Sequence, residues 1–574
     1  MLRSPTTSEY EVIERFYRAK DVMFGGHDYR ITVGVSTCSM AKGAHLVLKK
    51  VEEEVARRGI NARVVRVGCN GMCFSENMVE IIDHEGSWAV YAYVTPERVS
   101  RILDGYFSGS SRGVFAFRVK GGSLRDEERV PYIYEIPFYG KQVRRVLRFM
   151  GIVNPLSIEE YEALGGYSGL KRALRLTPDE VIDIVIRSKL RGRGGAGFPT
   201  GLKWKLVREA KGDVKYLICN ADEGDPGAFM NRLTAEGNPH IIIEGMIIAA
   251  YAVGASKGFV FVRAEKPLMA DMLARAIEQA RDKGYLGREI LRRDFDFDIE
   301  VILSAGAFVC GEETAMIAAI EGAATARGGR CSPTPRPPYP AEKGLFYKPT
   351  LVNNVETYAQ VAYLFQAGLE DFISVGTENS KGTKVFCLAG SIRYTGAVEV
   401  PIGITLRELI FEIGGGVPKG RRFKAVQIGG PSGGCLPKAY IDYPLDYEQL
   451  KSLGAIMGSG GIIVIDDKSC IVDVARYFLK FTATESCGQC TPCRIGLRHM
   501  LEIMNRITEG KGTEEDLIRL ERLGNVIAKT SLCGLGKTAP NPVLTTLKYF
   551  REEYEEHVKQ RKCRAGKCMK LRAR

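Results

Sequence analysis

The chain has 574 residues, 45% of them hydrophobic and 26% charged, which is enough ordinary globular material for several domains. A formal charge of +13 does not argue for nucleic acid, because metal-bound thiolates and a bound phosphate both lower it. The opening residues lack an apolar signal core, and the longest apolar run, 241–255, is broken by Glu244 and two glycines; neither secretion nor a membrane span is expected, and the protein is expected in the cytoplasm.

In chain order, residues 1–28 read as an amphipathic helix. Strand, helix and strand follow at Arg30–Ser36, Ala41–Arg58 and Ala62–Val67, then strands at Met78–Ile82 and Trp88–Val94 and a helix at Pro96–Tyr106. This β-α-β-β-α order fits a thioredoxin-like module, giving a first domain over 1–110. Residues 111–150 read as a connector. Strands and helices alternate over 151–370, an α/β domain. Residues 371–465, with short strands and Gly-rich turns, read as a small α+β module, and 466–555 as a helical bundle. Residues 556–574 form a basic, Cys-containing tail, either solvated or a docking segment.

Within the α/β domain, residues 191–203 read Arg-Gly-Arg-Gly-Gly-Ala-Gly-Phe-Pro-Thr-Gly-Leu-Lys. Five glycines let backbone amides approach a phosphate, Arg193 and Lys203 neutralise it, and a helix from about Leu202 offers its N-terminus. Phe198 can stack on a planar ring. Asn-Ala-Asp-Glu-Gly-Asp-Pro-Gly at 220–227 follows an apolar strand, the place where α/β domains bind ligands. Cys-Gly-Glu-Glu-Thr at 310–314 follows another, and Asn353–Asn354 close a third. Each is also readable as a turn or a helix cap.

Fifteen cysteines without a secretory signal suggest ligands rather than disulfides. Cys487, Cys490 and Cys493 have two-residue gaps that let three thiolates face an iron–sulfur cube, with Cys533 as fourth ligand; zinc is the competitor. Cys38, Cys69 and Cys73 supply three ligands where a [2Fe–2S] cluster needs four. His557, Cys563 and Cys568, closed by Cys470, suit zinc or a further cluster, against a reading as unused thiols. Cys219, Cys310 and Cys387 read as core.

Together these segments resemble the NADH-binding flavoprotein subunit of respiratory complex I and its soluble relatives, above all the beta subunits of NAD-dependent, electron-bifurcating hydrogenases. The resemblance runs from about residue 30 to 568. It implies a Rossmann-like FMN domain, a ubiquitin-like (SLBB-type) domain and a helical bundle with a [4Fe–4S] cluster. By the same resemblance Gly192, Arg193, Gly194, Gly195, Lys203, Asn220, Asp222, Gly311, Glu312, Asn353 and Asn354 hold FMN. Phe198 stacks on NADH, and Glu223, Asp225, Glu313, Arg336 and Tyr339 line the same cleft. The sequence departs from complex I, which usually has Glu at Asp225 and Lys and Phe at Arg336 and Tyr339. Gly43 stands where thioredoxin-like ferredoxins carry a second cysteine.

The implied chemistry is hydride transfer between NADH and FMN with one-electron exit through clusters, in either direction and without a protein nucleophile. The implied partners are a thioredoxin-like [2Fe–2S] subunit, a catalytic hydrogenase-type subunit and ferredoxin. Electrons are expected to leave to another subunit, since no two-cluster ferredoxin domain follows Cys568. A formate dehydrogenase or membrane respiratory enzyme, and a non-enzymatic metal scaffold, stay open as alternatives.

Overall fold

In a computed structural model the described residues are 7–108, 115–120, 131–322, 333–335 and 337–568. The chain is a mixed α/β assembly of three sheets and a helical bundle.

The first sheet has the order β2-β1-β3-β4-β5. Its strands are β1 (Tyr29–Gly34), β2 (Ala62–Val67), β3 (Val79–Asp83), β4 (Trp88–Tyr91) and β5 (Phe115–Lys120); β1 and β2 are parallel and the other pairs antiparallel. β5 lies in the stretch read as connector, where Gly-rich flanks conceal a six-residue strand. The expected first helix is two, Thr7–Arg18 and Lys20–Phe24. One face of the sheet packs on helices Ala44–Arg58 and Pro96–Phe107 through Val47, Val51 and Ile102. On the other, Ile82, Trp88 and Val90 join Phe16 and Phe24 in the main core of the protein. The sheet is therefore covered on both faces, one by the module's own helices and the other by the rest of the protein.

The second sheet is four-stranded and wholly parallel, order β8-β7-β6-β9: β6 (Tyr216–Ala221), β7 (Lys257–Arg263), β8 (Asp298–Ser304) and β9 (Thr350–Asn354). Parallel sheets are covered on both faces, and β6 and β7 are correspondingly apolar. The run at 241–255 becomes the helix Pro239–Val253, almost wholly buried. It crosses Val355–Ala367 so closely that a Cβ on Gly245 would lie 1.9 Å from Tyr358 O. Among the described residues no helix is long and apolar enough to cross a membrane.

The third sheet, order β11-β10-β14-β12-β13, comprises β10 (Thr383–Gly390), β11 (Gly396–Pro401), β12 (Phe423–Ile428), β13 (Gly434–Pro437) and β14 (Gly461–Asp466). Beyond it, helices Ile471–Glu485, Leu497–Thr508, Glu514–Thr530, Asn541–Tyr549 and Arg551–Lys559 enclose a separate core around Leu479, Met500, Leu520 and Tyr554.

A buried ion pair joins the first module to the rest. Arg30 of β1 donates to Glu160 at 2.9 and 2.8 Å, with neither side chain exposed, and to the carbonyls of Met23 and Ile152. Arg63 approaches the same carboxylate at 3.2 Å. Removing one partner of such a pair leaves an uncompensated buried charge. Glu160→Ala is expected to cost about 3–5 kcal/mol, read as lost hydrogen-exchange protection in β1, and Arg30→Met with Glu160→Leu is expected to cost less.

Candidate functional site

The C-terminal ends of the parallel strands converge on one cleft, and the Gly-rich loop closes over it. The helix that follows the loop runs Thr200–Glu209. Glycine is required at two points of the loop. Gly195 has φ +126°, and a Cβ there would stand 2.9 Å from Gly458 Cα; at Gly194 a Cβ would meet the Asn354 side chain at 3.2 Å. The third-sheet module thus forms part of the wall, and Tyr447 Oη donates to Gly192 O at 3.0 Å.

Not every charge in the motif faces the cleft. Arg193 is fully buried, its guanidinium donating to the carbonyls of Thr383, Arg191 and Lys381 at 3.0, 3.0 and 2.7 Å. It braces the loop from behind, contrary to its reading as an anion neutraliser. Lys203 stays at the cleft, its Nζ on Glu313 and 3.1 Å from Val352 O, and 6.0 Å from the half-exposed Phe198 ring.

The strand ends supply polar groups of two kinds. Some are committed internally. Glu223 accepts from Asn231 N (2.9 Å) and Arg232 N (3.1 Å), capping the helix Met230–Gly237. Glu312 caps Glu313–Ile320 through Thr314 N and Ala315 N. Asn354 caps Val355–Ala367 through Glu356 N at 2.9 Å. The Asn353 amide lies between Trp204 Nε1 (3.0 Å) and Val352 O (3.1 Å). Asp225 accepts from Ser459 Oγ, so it ties the acidic turn to the third-sheet module; burial pushes its carboxyl up to about 6.

Asn220 is committed too, its Nδ2 donating to Gly311 O at 2.9 Å and its Oδ1 accepting from Asp222 N at 3.1 Å. One neighbouring group is left open. Asp222 takes one bond, from Ser304 Oγ at 3.1 Å, and leaves Oδ2 buried with no partner. A Cβ on Gly311 would lie 3.5 Å from that oxygen. Burial pushes the Asp222 carboxyl up to about 6, opposed by Arg263. A buried carboxylate oxygen without a donor, beside glycines that keep the approach open, fits the hydroxyls of a ribityl or ribose chain. Tyr339 is exposed on the rim. Arg336 lies outside the described residues.

Directly behind the cleft, Cys487, Cys490, Cys493 and Cys533 line one small cavity with Val309, Ser486 and Leu535. The short turn Phe308–Gly311 contributes to both places: Gly311 to the cleft, Val309 to the thiol quartet. It is held by Glu485, whose Oε2 accepts from Phe308 N at 2.9 Å, and by an edge contact of Phe308 with Phe481, centroids 5.4 Å apart. Sequence reasoning missed these residues; the available signal was the position of Glu485 at the helix end just before Cys487.

In the bundle, Cys470, His557, Cys563 and Cys568 are all buried with their ligand atoms within 4.8 Å of one another. Cys470 Sγ and Cys568 Sγ are each 3.4 Å from His557 Nε2. His557 Nδ1 lies 2.6 Å from Glu553 O, the outer hydrogen bond that leaves Nε2 free to ligate. Cys38, Cys69 and Cys73 are contiguous in the first module, Cys73 touching both others. Cys219, Cys310 and Cys387 are buried.

Three protein-family profiles match the chain: the Nuo51 FMN-binding domain over 185–363, the SLBB domain over 385–436 and the NADH-ubiquinone oxidoreductase-F iron-sulfur binding region over 473–557. The NADP-reducing hydrogenase subunit HndC of Solidesulfovibrio fructosivorans is 53% identical over 431 residues, covering 75% of this chain and 86% of that protein. An NADH-quinone oxidoreductase subunit of Aquifex aeolicus is 42% identical, covering 70% of this chain and 92% of its own. A solved NAD+-reducing [NiFe]-hydrogenase chain, air-oxidised, superposes with a TM-score of 0.63 at 28% identity, covering 94% of this chain and 88% of that one.

The shared turn generates a prediction. Glu485→Leu is expected to leave flavin bleaching by NADH unchanged while the reduced-cluster EPR signal rises about tenfold more slowly, because small displacements at a reacting centre are costly. Glu485→Gln keeps an acceptor for Phe308 N and is expected to restore most of the rate.

Proposed function

The chain belongs to the family of NADH-binding, FMN- and [4Fe–4S]-carrying flavoprotein subunits of hydrogenase-type and complex I-type oxidoreductases, and on that premise we propose that it is the electron-entry subunit of a soluble, electron-bifurcating hydrogenase-type complex in the cytoplasm. The observation that carries the reading is the common wall: the ligand cleft at the strand ends and the thiol quartet share the turn Phe308–Gly311.

FMN held in the cleft would supply the conversion between a two-electron hydride and single electrons for a cluster. The protein's part is to bind, orient and exclude water. The amides of Gly194 and Gly195 take the flavin phosphate, with Lys203 as its cation, while Gly192, whose own amide donates to Phe198 O at 2.9 Å, closes the turn beside them. Asp222 and Asn220 hold the ribityl hydroxyls, with Gly311, Glu312, Asn353 and Asn354 shaping the floor. Arg193 and Glu223 act from behind, one fixing the loop and the other the acidic turn. Phe198, beside Lys203 and Glu313, offers the ring face against which a nicotinamide or adenine stacks, and Asp225, Arg336 and Tyr339 complete that side. Cys487, Cys490, Cys493 and Cys533 hold the [4Fe–4S] cluster. The first module is read as thioredoxin-like and the third as ubiquitin-like. A thioredoxin-like [2Fe–2S] subunit, a catalytic subunit and ferredoxin are the proposed partners.

The compact Cys470–His557–Cys563–Cys568 set is read as a zinc site, since three sulfurs and one embedded imidazole at mutual contact suit a single tetrahedral ion. Purified protein is expected to carry zinc at one equivalent, and Cys563→Ser to lose at least about 90% of it by elemental analysis, with flavin content intact. Iron at that position in place of zinc would overturn the assignment.

Electron entry is tested by anaerobic titration with NADH and then NADPH, following flavin absorbance and cluster EPR together; both nucleotides are needed because HndC is named as NADP-reducing. Bleaching by NADH with a growing reduced-cluster signal is the expected result. A fully loaded protein that responds to neither nucleotide would sink it.

A further inference from the structure

The first module holds three thiols where a two-iron cluster needs four donors, and the structure contains an unexplained acid beside them. Glu76 is 5% exposed, and its Oε2 is buried with no hydrogen-bond partner. Ionised and unpaired in such a place, a carboxylate is costly. The carboxyl is not turned away from the thiols. It touches Cys69, and with Gly34, Gly68, Cys69 and Asn70 it lines a small enclosed cavity. A Cβ on Gly34 would lie 4.0 Å from Glu76 Oε2, so the acid reaches across to the corner where β1 presents only backbone.

Cys38 interacts with Cys73, Cys73 with Cys69 and Cys69 with Glu76, and Glu76 also lies within the field of Cys38 and Cys73. Cys387, a further thiol nearby, is committed to Phe229 N at 3.2 Å. These donors are spread more widely than the Cys470 set, the one group of such ligands gathered within 4.8 Å among the described residues. Four donors at mutual contact suit one ion. Four donors spread over a wider span suit a rhomb of two irons bridged by sulfide, each iron taking a pair.

We propose that Glu76 is the fourth ligand of a [2Fe–2S] cluster in the first module, with Cys38, Cys69 and Cys73 as the other three. The proposal rests on the reading of that module as ferredoxin-like. Charge supports it: three thiolates and one carboxylate carry the same four negative charges as four thiolates, whereas two neutral imidazoles in place of thiolates remove two. Positive groups are also in place. Arg232, from the helix that Glu223 caps in the FMN-binding domain, donates to Cys38 Sγ at 3.1 Å, Gly71 N donates to Cys69 Sγ at 3.3 Å, and Lys42 lies close enough to favour the ionised Glu76. Hydrogen bonds to ligand sulfurs tune such a cluster, and the Arg232 bond ties it to the neighbouring domain.

The test uses the full chain purified without oxygen, with iron and acid-labile sulfide counted and EPR recorded after dithionite reduction. The slowly relaxing two-iron signal persists at liquid-nitrogen temperature, where the [4Fe–4S] signal has broadened away. Wild type is expected to show it. Glu76→Cys is expected to keep the iron count but change the g-values and midpoint potential, and Glu76→Gln to lose the signal at least tenfold. The [4Fe–4S] signal at lower temperature reports that each variant is folded. If Glu76→Gln and Glu76→Ala keep the wild-type spectrum, Glu76 is not a ligand, although the module's cluster stands. If wild type itself shows no two-iron signal, the ferredoxin-like reading fails and this proposal with it.

Discussion

One short turn has to serve two sites. Electron transfer between a flavin and a cluster needs both to be near and fixed, and the segment Phe308–Gly311 lies on the boundary between their pockets. Much of the surrounding structure immobilises that boundary. β8 delivers the chain to it, Asn220 holds its far carbonyl, and Glu485 holds its first amide. Glu312, the next residue, is spent on capping the helix that follows. The parallel sheet gives the cleft its floor, the third module gives it a side wall through Gly458 and Tyr447, and the bundle closes it from behind.

Carboxylates in and around the cleft divide by what they are bonded to, and that division assigns their work. Glu223, Glu312 and Asp225 are matched by backbone amides or a hydroxyl of the protein. They determine shape. Asp222 alone among the acidic-turn carboxylates keeps a buried oxygen unmatched, and that atom is available to something that is not protein. A motif of three acids within four residues is thus two groups spent on structure and one with an oxygen left open. Glu76 in the first module is a second case of the same kind, a buried acid with one oxygen unmatched by the polypeptide.

The family, the cofactors and the reaction were legible in the sequence because spacing carries them. Two-residue gaps between cysteines, glycines at fixed offsets and polar residues at strand ends are local patterns with a local physical cause. The Cys470 set was legible only as a sum, three ligands near the end and one far upstream, and the fold brings them into contact. Direction was not legible. Nothing in the string distinguishes Arg193, which turns into the core, from Lys203, which stays at the cleft, since that depends on the carbonyls of residues 381 and 383 lying behind the loop. The same holds for Glu485, whose partner is 177 positions away. β5 was missed for a different reason: a strand at the end of a sheet takes its order from the neighbour it pairs with, and its own sequence is short and flanked by glycines.

The meeting of Cys470 with Cys568, 98 positions apart, turns the helical bundle into a ring. Cys470 is the residue before the helix Ile471–Glu485, and Cys563 and Cys568 follow the last one, so a bond through a shared ion encloses the five helices and the thiol quartet. Cross-linking a loop of about 100 residues removes on the order of 4.7 kcal/mol of chain entropy from the unfolded ensemble, in the manner of a disulfide. A ring of this kind needs no oxidising compartment and opens only when the ion leaves. With the proposed zinc bound there, the folding of the region that carries the iron–sulfur quartet would be tied to the supply of a second, redox-inert element.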